Sequence, residues 1–153
     1  MLMRLAIVLA AVPVALVLYL ESGSIAPPLI VAVLTALTVL MPGSAGAALL
    51  IGYAALAMAF GDGHPVRLGV LIMIPALHLI HVTSALAAVV PVKTRIDPAA
   101  LKTPARRFAI VQAITFVVAA VAAVVPSGAN MGLVEVLGLG ALTVVIGVVA
   151  LRI

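Results

Sequence analysis

From Ala26 to Phe60 the chain runs for 35 residues without a charged side chain, and this stretch limits its folding more than any other feature. As one helix it would extend about 52 Å, well past a hydrocarbon core of about 30 Å. A water-soluble globule could not hide it either. The whole chain is 67% hydrophobic and 8% charged, against roughly 25% charged residues in a typical soluble domain. Lipid is the solvent that suits such a surface. The expected fold is all-α: a single integral membrane domain over residues 1–153, built as a polytopic bundle of transmembrane helices.

Turn chemistry divides the apolar stretches. Met41-Pro42-Gly43-Ser44-Ala45-Gly46 combines a residue without an amide hydrogen, a conformationally permissive glycine and a capping serine. It splits the long run into short spans at about 27–41 and 44–60, with one tilted, kinked helix as the rival reading. Gly61-Asp62-Gly63-His64 is a polar turn, and Pro65 suits the first turn of a fourth span at 65–90. Thr103-Pro104 reads as a cap followed by proline and opens a fifth span at 104–125. A sixth, 131–151, follows the turn Pro126-Ser127-Gly128-Ala129-Asn130. The first span, 5–20, lies between Arg4 and Glu21. A cleaved signal peptide competes there, but the apolar run is long for one and more membrane follows it.

Charge orients the bundle. Lys93, Arg95, Lys102, Arg106 and Arg107 fall in or beside one loop, which the positive-inside rule assigns to the cytoplasm. Six spans with an inner N-terminus bring Arg4 and Arg152 to the same face. Five spans keep the basic loop inside only if Arg4 is outside. Both termini are therefore expected in the cytoplasm, and the excess of Arg over Lys with abundant Ala and Val points to the inner membrane of a GC-rich bacterium. The formal charge of +4 is spread among apolar runs, which suits an anionic leaflet and not nucleic acid. Asp97-Pro98 resembles a helix start, so Ala99 to Lys102 could form an interfacial turn. The loop then serves either lipid contact and topology or the docking of a cytosolic protein.

Polar residues inside lipid are the candidates for function. His78 and His81 stand three apart on one face of the fourth span, near its middle. They suggest a proton relay, a metal site or a haem ligand, or else a neutral pair bonded to Thr83, Ser84, a carbonyl or another helix. Gln112 is placed to reach the level of His81 across helices. Glu135, about 6 Å inside the outer end of the sixth span by helical rise, wants a partner, for which Arg67 or His64 at the same boundary could serve. Gly140, Thr143 and Gly147 offer a small-residue stripe for helix contact. No cysteine is present and no metal set, nucleophile elbow or phosphate-binding glycine loop is recognisable. Neither a catalytic activity nor a cofactor is expected.

The Leu40-Met41-Pro42-Gly43-Ser44 turn, Leu77-His78-Leu79-Ile80-His81 leading to Ala85-Leu86-Ala87-Ala88, and Arg95-Ile96-Asp97-Pro98-Ala99-Ala100-Leu101 with Arg106-Arg107 share a further property. Together, over roughly Val39 to Ala113, the chain resembles small uncharacterised multi-span proteins of GC-rich bacteria found beside MoxR-type AAA+ ATPases. The resemblance implies an accessory role in a membrane assembly and carries over no functional residue. The expected function is thus a non-enzymatic accessory or scaffold subunit with membrane lipids and a protein as partners. A small oligomeric transporter or channel, and a haem-binding electron-transfer subunit, are the alternatives.

Overall fold

The computed structural model describes residues 1–61, 67–91 and 97–124. Within them lie five α-helices and no strand: α1 (Leu2–Ser22), α2 (Ala26–Leu40), α3 (Gly46–Ala59), α4 (Leu68–Val89) and α5 (Pro98–Val124). The chain divides into two compact units, Met1–Ala119 and Ala120–Ile153. The last turn of α5 falls in the second.

Helix α1 is the centre of the first unit. Ile7, Ala10, Ala11, Val14, Val17 and Leu18 are all buried, a spacing of three and four that draws one stripe down a helix. That stripe packs most extensively on α4 and next on α2; α3 completes the unit against α2 and α4. The other helices answer with stripes of their own. Val31, Thr35 and Thr38 come from α2, Ala47, Leu50 and Ala54 from α3, and Met73, Ala76, Ile80, Thr83 and Ser84 from α4. Alanines where the stripes meet let the helix axes approach closely, the usual device where lipid removes the hydrophobic advantage of helix contact.

Local sequence sets the breaks. Gly23 ends α1 in the left-handed region, at φ 62°, and returns its amide to Tyr19 O, the glycine C-cap geometry. The Ser24 hydroxyl accepts the amide of Ala26, and Pro27 and Pro28 occupy the first turn of α2. In the Pro42-Gly43 turn, Ser44 Oγ accepts the amide of Gly46 at 3.2 Å. There α2 and α3 close tightly. A methyl group built on Gly46 would lie 3.0 Å from Thr38 Oγ1 and 3.1 Å from its backbone nitrogen.

Three helices are long and apolar enough to cross a membrane: Leu2–Ser22, Leu68–Val89 and the Ala99–Val121 part of α5. At 15 and 14 residues, α2 and α3 rise only about 22 and 21 Å, short of a hydrocarbon core near 30 Å. The expected six spans are therefore not supported: three of the described helices have the length and composition to cross, α2 and α3 form a shorter hairpin, and 131–151 lies outside the described residues. Helix α5 corrects a second expectation. It begins at Pro98, capped by the Asp97 carboxylate on the amide of Ala99 at 2.9 Å, and runs straight through Thr103-Pro104. The interfacial turn and the fifth span are one helix, because proline removes one bond from a long ladder and does not end it.

Candidate functional site

Two ends of the bundle can be told apart. Arg4, the Pro42-Gly43 turn and the last residues of α4 surround one recess of about 280 Å³. At the opposite end Glu21 closes α1 and Arg67 opens α4. The guanidinium Nε donates to the Glu21 carboxylate, 3.0 Å from Oε2 and 3.1 Å from Oε1. Nη2 donates to Met58 O in the last turn of α3 at 3.3 Å, where helix carbonyls lack intrahelical partners. One guanidinium thus ties three helices. Gly69 makes the geometry possible, since a methyl group there would lie 2.6 Å from Glu21 Oε1. Arg67 therefore serves Glu21, a residue not considered for this role from the sequence. The available signal was positional: alternating helices bring the end of α1 and the start of α4 to one face. Glu135 and His64, the other members of the expected outer pairing, lie outside the described residues.

Deeper in the membrane, α4 and α5 meet through one polar contact. Gln112 Nε2 lies 2.8 Å from His78 Nδ1, and the imidazole stacks on Phe108 with ring centroids 4.7 Å apart and planes tilted by 31°. Gln112 is buried, and its Oε1 has no hydrogen-bond partner among the described residues. With Nε2 as donor, His78 is the neutral tautomer bearing its proton on Nε2. A half-turn of the carboxamide would present Oε1 to a protonated Nδ1 instead. The bond across helices was anticipated at the level of His81; it goes to His78, one turn away. His81 itself is exposed, and its imidazole makes no hydrogen bond among the described residues. The hydroxyls of Thr83 and Ser84 do not serve the imidazoles. They donate to Leu79 O at 2.6 Å and His81 O at 2.9 Å, the back-bonding of hydroxyl residues to their own helix.

A cavity of about 690 Å³ separates α5 from α1 and α4, with Phe108 and Phe116 on one side and Pro13 and Pro75 on the other. Each proline deprives the carbonyl four residues earlier of its helical donor, and those residues, Leu9 and Leu71, line the same space. Sequence reading passed over these two prolines because they sit inside continuous apolar runs.

Of the basic cluster, Lys102, Arg106 and Arg107 stand exposed on the first turns of α5, while Lys93 and Arg95 lie outside the described residues. Among the described residues no three His, Asp or Glu side chains converge as a metal site would require. No family model, no curated protein and no solved structure matches the chain.

Proposed function

We propose that the protein is a non-enzymatic accessory or scaffold subunit of a bacterial inner-membrane assembly, with its termini and basic segment on the cytoplasmic side. The observation that carries this reading is His81. It lies about 20 Å along α4 from Leu68 and about 12 Å from Val89, well inside the hydrocarbon region, yet its imidazole is exposed and unbonded among the described residues. Ionisable side chains within spans almost always face the bundle interior or a polar cavity. A partner helix seated over this face would supply the missing interior.

Two further features support it. Ile110, Val111, Ile114, Val117, Val118 and Val121 are all exposed along α5, so this helix turns apolar surface outward on more than one side. At the basic end Lys102, Arg106 and Arg107 project from the same helix, each worth about 1 kcal/mol at an anionic leaflet.

The reading is tested by placing a photoreactive residue at Ala85, one turn from His81, and irradiating intact membranes. One discrete protein adduct is expected, with co-purification of that protein at fixed stoichiometry in mild detergent and loss of both in His81→Leu. Lipid adducts alone, with monodisperse partner-free protein, overturn the reading.

A further inference from the structure

At the end of the bundle away from Glu21, a recess of about 280 Å³ is lined by Arg4, Pro42, Gly43 and residues 87–91. Its walls are the first turn of α1, the turn between α2 and α3, and the end of α4. Helices α1 and α4 are both long and apolar enough to span, so their ends, and the recess with them, lie at the depth of lipid headgroups. Cavities for drug-sized ligands begin at about 300 Å³. This one has room for a headgroup and not for acyl chains.

Both signs of charge meet in it. Arg4 is half-buried, and its guanidinium makes no ion pair or hydrogen bond among the described residues. The acids of those residues are committed elsewhere: Glu21 to Arg67 at the far end of α1, and Asp97 to the amide of Ala99. A guanidinium at the rim of hydrocarbon needs an anion, and a phosphate matches its fork of donors. The end of α4 supplies the other sign. Leu86 O accepts the amide of Val90, but Pro91 has no amide to give Ala87 O, and the last carbonyls of a helix lack helical donors. They carry the negative end of the α4 dipole, and an ammonium with N–H groups suits them.

We propose that this recess binds one phospholipid whose headgroup joins a phosphate to a primary ammonium, as in phosphatidylethanolamine, from the leaflet at the Arg4 end. The phosphate lies on the Arg4 guanidinium and the ammonium on the terminal carbonyls of α4. The acyl chains stay outside, beside the exposed Leu5 and Met41 that adjoin recess residues in the chain. The site is independent of the assembly role above: it uses helix ends and none of the His81 surface.

Protein reconstituted in nanodiscs of equal parts phosphatidylethanolamine, phosphatidylcholine and phosphatidylglycerol, then released into mild detergent, can be weighed by native mass spectrometry for retained lipid. One phosphatidylethanolamine per chain is expected, about tenfold over the other two, as for one charge-assisted hydrogen bond. Phosphatidylcholine has no N–H on its quaternary nitrogen, and phosphatidylglycerol has no cation. Arg4→Gln should lower retention about tenfold for the same reason. Gly43→Leu should lower it by filling the recess; a Cβ there meets nothing within 4 Å, so the turn is kept. Helical circular dichroism checks that each variant is folded, and Gly43→Leu decides the matter if Arg4→Gln is not. Three results overturn the proposal: no phospholipid retained by the unaltered protein, phosphatidylcholine or phosphatidylglycerol retained as well as phosphatidylethanolamine, or retention unchanged in either folded variant.

Discussion

Gln112 and His78 show how a single polar pair behaves when both neighbours are hydrocarbon. Interhelical hydrogen bonds in membranes are worth on average about 0.6 kcal/mol and up to about 2, because the separated helices also find partners. A double-mutant cycle with His78→Leu and Gln112→Leu, read from unfolding in mixed micelles, should give a coupling in that range. No coupling would mean that the two side chains do not bond. Gly69→Ala probes the other contact. The methyl group displaces the flexible end of Glu21 and not backbone, so the fold should persist. The coupling between Glu21 and Arg67, measured by the same cycle, should disappear, whereas in the unaltered protein it should be present. These residues were unequally legible. His78, His81 and Gln112 stand out because polar side chains in an apolar run are conspicuous. Which of them meet depends on the rotation of α4 about its axis, and that is set by packing on α1. The Glu21–Arg67 pair spans 46 residues and depends on α1 lying beside α4, which no local pattern encodes.

For the helices themselves, the break between α2 and α3 followed turn chemistry closely, where proline, glycine and serine stand together at Pro42-Gly43-Ser44. Turn chemistry failed at Thr103-Pro104, where a capping residue type and proline sit inside α5. There Asp97 had already supplied the cap, and a helix once nucleated continues at the cost of one missing bond. Hydrophobicity identifies what enters lipid but not how long its helices are, and α2 and α3, at 15 and 14 residues, are short for a full crossing by helical rise alone. Their hairpin can be tested with two glycines. Gly46→Ala places a methyl group 3.1 Å from the backbone nitrogen of Thr38, so α2 and α3 must move apart slightly, and the change should destabilise the protein by about 1–3 kcal/mol. Gly52→Ala meets nothing within 4 Å and should be neutral or stabilise by up to about 1 kcal/mol through helix propensity. Equal effects in a denaturation series would contradict the close α2–α3 approach.

At the level of the whole molecule, the class was evident from composition, because a surface this poor in charge leaves only lipid as solvent. The central position of α1 was not. It carries six of the buried core residues. The bundle should therefore depend on it, and peptide mapping of membrane-extracted protein should recover the Leu2–Ser22 segment. A map lacking the first helix would show that the bundle forms without its centre. Chains expressed from Ile25 onward should fail to accumulate in the membrane.

The triple grip of Arg67 has a consequence for biogenesis. Glu21 leaves the ribosome some forty-six residues before the cation that neutralises it. During that interval the first helix must wait with an unmatched carboxylate at its far tip, and Met58 O waits with it. Completion of α4 then satisfies both at once, so the order of synthesis itself becomes a checkpoint: a nascent chain truncated ahead of Arg67 should be prey for membrane proteases, and one extended just past α4 should escape them.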